Sequence, residues 1–437
     1  MEENKKRKFV GNATWMIIQK IYAMLVSLIV GSLSARYLGP SNYGVMNYGA
    51  SIIAVFLVIS NLGLDSTLVS EMIKRPDKQG SYIGTSIILR LVISVLSIVL
   101  TFLIIRSIEP DNQLIWIVTF LQSTVIVFNI YEVLLYWFQM RLEMKYVSIA
   151  TMISATITGA WRIYLLASGR DVIMFSMTSS IAALVTGVVV IVFFCKKSDF
   201  KLCVNLSDGW HLLSNSYHFI ISSIAIVLYM QIDKTMLGKW VGNESVGYYS
   251  AASTIATLWE FIPLALVDSS RPIILEKMKK DYEGSMHQFK TLLFSINIMA
   301  IIVGVFIMLF GKYAIFILYG DAYNQAIPAM NILIWSTSFA VIGSARTIWI
   351  VGTDKNRYTK YYVIIGAITN IVLNAIFIPH YGIIAAAITT LISQIVVAVI
   401  APLFFSKTRE FFRLYIDSFT YFSYFISFIK GGLRRKK

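Results

Sequence analysis

The feature that most limits what this chain can become is a succession of twelve apolar runs, each about 20 residues long, the length a helix needs to cross hydrocarbon. They cover roughly 12–37, 41–65, 81–105, 113–139, 146–168, 172–194, 213–237, 245–269, 290–318, 323–350, 361–378 and 382–405. Within a bilayer, backbone groups in such runs find partners only in helices or closed barrels, and runs this long read as helices. An all-α membrane protein follows. Composition agrees: 57% of residues are hydrophobic and 14% charged, with a mean hydropathy of +0.70, whereas soluble domains carry about 25% charged residues. The first run is too long for a signal h-region and lacks a small-residue cleavage site, so no cleavable signal is expected. Cys195 and Cys203 lie in one polar linker, which suggests neither a disulfide framework nor a metal site.

The net charge of +15 would suit a nucleic-acid binder, but its distribution excludes one. If the N-terminus is cytoplasmic, 28 of the 38 Lys and Arg residues fall on inward-facing segments and five on outward loops. Those five are Arg36, Arg106, Arg170, Lys239 and Lys312. That skew follows the positive-inside rule and places both termini in the cytoplasm.

At an offset of 203 residues the chain echoes itself. Arg36-Tyr-Leu-Gly39 and Gly44 align with Lys239-Trp-Val-Gly242 and Gly247, and Ser51, Ile52 and Asp65 with Thr254, Ile255 and Asp268. Six spans precede and six follow the linker, and both sets begin inside. Parallel six-helix repeats related by an axis along the membrane normal are the expected plan. The domains are then residues 1–195 (N-lobe, spans 1–6), a cytoplasmic linker 196–212, and 213–406 (C-lobe, spans 7–12). An aromatic and basic tail, 407–437, is expected to lie at the interface; the alternative for 411–429 is a thirteenth span.

No G-x-x-x-x-G-K-[ST], H-E-x-x-H, Cys-x-x-Cys or G-x-S-x-G occurs, and the four histidines show no ligand spacing. The sequence thus offers no catalytic residue, no metal and no cofactor. What remains is charge inside the spans, which is costly and normally faces a cavity or a partner. The basic groups are Lys20, Arg90, Arg162, Lys234 and Arg346; the acids are Asp233, Glu132 and Glu260. At about 1.5 Å per residue, Lys20 and Arg90 sit near mid-membrane, while Arg162 and the Asp233-Lys234 pair sit nearer the outer side. Arg346 and Glu132 lie close enough to the inner side to snorkel. Five cations against three acids predict a cavity that prefers an anion. The acids are candidates for ion coupling (H+ or Na+) or for structural pairing.

The run Tyr229-Met-Gln-Ile-Asp-Lys-Thr-Met-Leu-Gly238, then Val246-Gly-Tyr-Tyr-Ser-Ala-Ala252 and Ser269-Ser-Arg-Pro272, resembles polysaccharide transporters of the multidrug/oligosaccharidyl-lipid/polysaccharide exporter superfamily. The opening Ala35-Arg-Tyr-Leu-Gly-Pro-Ser-Asn-Tyr-Gly44 and Asn61-Leu-Gly-Leu-Asp65 are similar too, and the closest likeness is to Wzx-type flippases of O-antigen and capsule units. The resemblance implies two lobes around a central cavity that opens alternately to each side. It also implies a bacterial inner membrane and an undecaprenyl-diphosphate-linked oligosaccharide carried to the outer leaflet for lipopolysaccharide or capsule. A polymerase and a chain-length regulator are the implied partners, beside membrane lipids.

Two other readings compete. A multidrug exporter of the same superfamily, which typically moves cations, would need a cavity rich in acids. A membrane glycosyltransferase or polymerase would need long outer loops for catalysis, whereas every outer loop here is short.

Overall fold

The computed structural model describes residues 2–421, and every regular element among them is helical. Nine helical stretches among the described residues are long and apolar enough to cross a membrane. Two of them, Gly11–Asn61 and Asn356–Phe404, run to 51 and 49 residues, more than twice the ~20 that one crossing takes. Each is broken by a glycine. Helix α1 (Glu2–Asn61) turns at Gly39, whose φ of 72° lies outside helical space, and Pro40 restarts the helix with a fixed φ and no need of a donor.

The helices are inside-out compared with those of a soluble protein. After α2 (Leu64–Lys74), α3 (Gln79–Ile108) buries Ser86, Arg90, Ser94, Ser97 and Thr101 at spacings of three and four residues. It leaves Leu91, Val92, Val95, Leu96, Val99 and Leu103 exposed. Small polar residues inward and large apolar ones outward suit lipid, where close helix approach rather than hydrophobic exclusion drives packing.

The fourth apolar run is interrupted. It comprises α4 (Gln113–Ser123), a single turn α5 (Val125–Phe128), a 3-10 turn at Asn129–Tyr131, and α6 (Glu132–Met140). At the first break the Thr124 hydroxyl donates to the Leu121 carbonyl at 2.8 Å and to Ser180 Oγ at 2.7 Å, bonds that compete with the helical ladder. Then come α7 (Met144–Ala167), the short α8 (Val172–Ser176), α9 (Thr178–Lys197) and α10 (Leu206–Trp240).

The chain forms two compact units, residues 1–247 and residues from 248 onward. The sequence places the lobe boundary at linker 196–212, but α10 packs with the first unit, on α1, α2 and α3. It is tied there at both ends. Asp208 accepts from Lys78 at 2.7 Å and from Ser81 Oγ at 2.6 Å, and His211 lies 3.2 Å from Glu71. At the far end Thr235 bonds Ser51 at 2.9 Å and Lys239 donates to the Ile108 carbonyl at 2.6 Å. The linker is strapped down as well: Cys203 N–H donates to the Gly80 carbonyl and Asn205 N–H to Thr85 Oγ1.

In the second unit α11 (Asn243–Thr257) begins in the last residues of the first, and α12 (Phe261–Met278), α13 (Tyr282–Tyr319), α14 (Ala326–Gly352) and α15 (Thr359–Ile395) follow. A π-helical turn, Val396–Ile400, ends the last crossing. The tail then opens with α16 (Arg409–Ser418). Its Phe411, Leu414, Tyr415 and Ser418 share one face and pack into the core with Phe289, Trp349 and Tyr362. Residues 422–437, which carry the rest of the aromatic and basic tail, lie outside the described residues.

Candidate functional site

The eight membrane-embedded charges separate by environment. Arg90 is 1% exposed on the inward stripe of α3, and its Nη2 donates to Glu132 Oε2 at 2.9 Å. Glu132 reaches it because it opens α6 directly after the 3-10 interruption of the fourth run. The carboxylate is about one-third exposed, so the pair joins a buried cation to an anion at the edge of a polar space. Tyr136 donates to Asn61 Oδ1 at 3.2 Å beside it.

Arg346 stands apart. It is 3% exposed on α14, and its Nη1 donates to the carbonyls of Val397 and Ala398 in the π-helical turn. Its guanidinium carbon lies 4.5 Å from the Tyr362 ring centroid and 5.9 Å from that of Phe411. The expectation that it snorkels to the inner surface fails: aromatic rings and backbone dipoles enclose it.

Arg162, on α7, has neither an ion-pair nor a hydrogen-bond partner among the described residues, and lies next to Gly31 of α1. It lines a cavity of about 130 Å³ with Ala23, Ser27, Thr158, Thr178 and Ser179. Thr158, Ser179, Ala155 and Ala182 also line a neighbouring space of about 330 Å³, whose wall adds Asn129, Thr151, Ser154 and Thr186. The two make a hydroxyl-lined groove inside the first unit, with no carboxylate among its lining residues. Lys20 is exposed on α1. It lies seven residues before Ser27, two helical turns along the same face, and is not among the residues that line the groove.

Asp233 and Lys234 follow one another on α10; Asp233 is 3% exposed and engaged, and Lys234 is half-buried. Glu260 ends a 3-10 turn, Leu258–Glu260, between α11 and α12, and is likewise engaged. The ladder of equivalent cations therefore resolves into one paired (Arg90), one caged (Arg346), one facing a groove (Arg162) and one exposed on α1 (Lys20), with Lys234 beside its own acid. No cluster of three or more His, Cys, Asp or Glu able to hold a metal occurs among the described residues.

Sequence reasoning missed the hydroxyl lining, although Thr151, Ser154 and Thr158 repeat at three and four residues on one face. It also missed a cluster in which Tyr48 donates to Glu109 at 3.2 Å and Lys239 approaches the same carboxylate at 3.8 Å. At the N-terminal end of α10, a hydrogen bond from Lys74 holds the Glu71 carboxyl below the usual carboxylate range; burial works against it, and His211 assists. Burial raises the Asp208 carboxyl most, but the bonds from Lys78 and Ser81 and the charges nearby outweigh it and leave it lowered.

A family profile described as polysaccharide biosynthesis protein matches residues 9–276. The chain belongs to that family. A second profile, MatE, matches residues 219–376 of this family member. It is 20% identical over 408 residues to a protein of Escherichia coli (strain K12) named as an O-antigen transporter, covering 91% of this chain and 97% of that one. It is also 20% identical over 389 residues to a Haloferax volcanii protein named as a low-salt glycan biosynthesis flippase, covering 86% and 79%. In fold it matches the lipid II flippase MurJ at a TM-score of 0.71, with 18% identity and coverage of 94% and 91%. A multidrug-resistance MATE transporter matches at 0.66, with 14% identity and coverage of 90% and 99%. This polysaccharide biosynthesis protein is therefore a multi-pass membrane transporter of the multidrug/oligosaccharidyl-lipid/polysaccharide exporter superfamily, and its relatives are named as transporters and flippases.

Proposed function

We propose that this protein is a flippase that moves an undecaprenyl-diphosphate-linked oligosaccharide from the inner to the outer leaflet of a bacterial cytoplasmic membrane by alternating access. The architecture proposed is twelve spans in two parallel six-helix repeats, with both termini cytoplasmic. The observation that supports the substrate reading is the groove at Arg162, whose lining has one cation, a run of hydroxyls and no acid; Lys20 lies two helical turns before its Ser27 on α1. A diphosphate crossing hydrocarbon needs its hydration replaced, and charge-assisted bonds from Lys and Arg supply that. Hydroxyls at helical spacing suit sugar hydroxyls.

Lys20 takes the diphosphate near mid-membrane and Arg162, with Lys234, receives it on the outward path. Arg90 joins them only when released from Glu132, so a proton taken up by Glu132 would free a cation for the substrate. Glu132, Asp233 and Glu260 are thus the carboxylates available for coupling to an H+ or Na+ gradient. Arg346, caged by Tyr362 and Phe411, serves packing in this conformation. A polymerase and a chain-length regulator would act on the delivered units. The MatE match raises the multidrug reading, but a lone guanidinium in a groove without carboxylates repels organic cations.

The test is glycan display at the cell surface, normalised to protein in the membrane, in a strain lacking the native gene. Lys20→Ala and Arg162→Ala should each reduce display at least tenfold at unchanged protein level, and Lys20→Arg should retain part of it. Normal display with both alanines would reject this groove as the diphosphate site.

A further inference from the structure

The 203-residue echo reappears in the structure as a pair of glycine devices. Gly39 and Gly242, equivalent in the echo, both have positive φ, 72° and 113°, with open space where a Cβ would stand. Glycine is needed there for the backbone. Gly44 and Gly247, five residues later in each copy, are needed for room. A Cβ on Gly44 would lie 1.7 Å from the carbonyl oxygen of Asn243, and one on Gly247 would lie 2.1 Å from that of Pro40.

The pairing is reciprocal. Pro40 and Asn243 are equivalent under the shift of 203, as are Gly44 and Gly247, so position 44 meets the counterpart of 40 and position 40 meets the counterpart of 44. Contacts of the form i to j and j to i are the signature of a two-fold axis. They place one between residues 42 and 245, where backbone rests on backbone. The approach continues on one side as Gly238 packs on the Tyr48 ring, its Cβ position 2.4 Å from Cδ2, and as Ser51 bonds Thr235.

We propose that this glycine crossing is the outer closure of the carrier: segments 40–44 and 243–247 seal the exit in the conformation described and separate to let the headgroup leave. Both segments are first turns of helix, directly after the breaks at Gly39 and Gly242, and lie at the outer ends of their spans in the topology that the charge skew predicts. A cargo larger than a water molecule cannot pass between backbones in van der Waals contact. Smooth glycine surfaces leave no interlocked side chains to undo, and they allow the same close approach on return. The proposal rests on the flippase reading for its cargo, but not for the movement itself.

The experiment uses full-length protein in cells, with Cys195→Ser and Cys203→Ser, since both native thiols are exposed. Asn42→Cys with Ser245→Cys brackets the axis and is the variant in which glycan display is read; Ser27→Cys, which alters the groove lining, is added only in parallel chains, with and without the pair, to report access to the groove from outside. The pair should form a disulfide; oxidation should abolish both glycan display and outside labelling at position 27, and reduction should restore both. In the singly mutated chains, Gly44→Ala and Gly247→Ala should each raise outside labelling at position 27 several-fold. Failure of the pair to cross-link, labelling that ignores the lock, or display by locked protein would overturn the closure. Should labelling respond to the lock while reduced protein delivers no lipid-linked glycan, the closure stands and the cargo assignment fails. If an alanine variant does not insert, the cysteine pair carries the test alone.

Discussion

Arg90 and Arg346 look alike in the sequence: each is a lone guanidinium within an apolar run. The folded chain treats them by opposite means. Arg90 meets a carboxylate, Glu132, at 2.9 Å at the margin of a polar space. Arg346 meets no carboxylate among the described residues; two carbonyls of a π-helical turn and the faces of Tyr362 and Phe411 surround it. Charge balances the first, and oriented dipoles and ring quadrupoles balance the second. A charge-balanced cation can exchange its partner for another anion. One held by fixed dipoles within a packed core cannot do so without unpacking the core. The first arrangement suits a working site and the second a structural one.

The largest effect expected from breaking this contrast is at Arg346. Arg346→Met removes a charged donor to the Val397 and Ala398 carbonyls in a packed core. Hydrogen bonds to charged groups contribute about 1.5–3 kcal/mol each, so a loss of about 3 kcal/mol and a clearly lower melting temperature in detergent are expected. Arg346→Lys should recover only part, because an ammonium can donate to the two carbonyls but has no planar face to lie over the Tyr362 ring. A melting temperature equal to that of the native protein would show that the aromatic cage, not the guanidinium, holds this core.

At Arg90 the effect should be smaller and partly reversible. Glu132→Gln leaves a cation at 1% exposure facing a neutral amide, but the carboxylate it replaces is itself about one-third exposed and solvent screens it. A loss of about 1–2 kcal/mol is expected. Removing both charges, Arg90→Met with Glu132→Leu, should recover much of it, since replacing a buried ion pair with packed apolar groups is often neutral. A double variant as unstable as the single one would mean that Arg90 is held by something other than its pair. Display separates the roles: if Glu132 releases Arg90 during transport, the double variant folds and delivers nothing.

This contrast also marks what the sequence could and could not disclose. Apolar run length, a feature local to each segment, marked the membrane-length helices; the glycine break at 39 falls between two runs as read, and the one at 382 opens the last run. The identity of charged residues within runs is equally local, so all eight candidates were visible. Their partners were not, because a partner is set by which helices meet and where a helix is interrupted. Glu132 reaches Arg90 only through the 3-10 turn at 129–131, and Arg346 finds its carbonyls only because the last crossing ends in a π-helical turn. Neither interruption carries a glycine; the residues are Asn129-Ile-Tyr131 and Val396-Val-Ala-Val-Ile400. The placement of α10 with the first unit was hidden likewise, since Asp208, His211 and Lys239 read as ordinary loop-end charges.

Those loop-end charges supply the lower end of the comparison and the smallest expected effect. The clasp at the N-terminal end of α10 joins Glu71, Lys74 and His211, and Asp208, Lys78 and Ser81. Unlike the cage of Arg346, it depends on carboxylates, and both are held below their ordinary range. A carboxylate lowered on folding binds fewer protons in the folded state than in the unfolded one, so its contribution is complete above the unfolded value, about 4. That contribution is lost as the pH falls through the lower, folded value. Stability should therefore hold from neutral pH to about 5 and decline below 4. The decline should be modest, because Lys74 is 64% and Lys78 37% exposed and exposed pairs are worth about 0–1 kcal/mol each. Asp208→Asn should remove part of the acid dependence, with a small loss at pH 7 because Ser81 still has an acceptor. Glu71→Gln should remove another part. The measurement is hydrogen exchange of the amides of residues 203–212 between pH 7 and 3.5, corrected for the intrinsic rate. Protection that falls in the native protein but stays flat in Asp208→Asn assigns the clasp to its carboxylates. Protection that falls equally in both would assign it to backbone bonds such as Asn205 to Thr85, and titration would then have no part in holding α10 to the first unit.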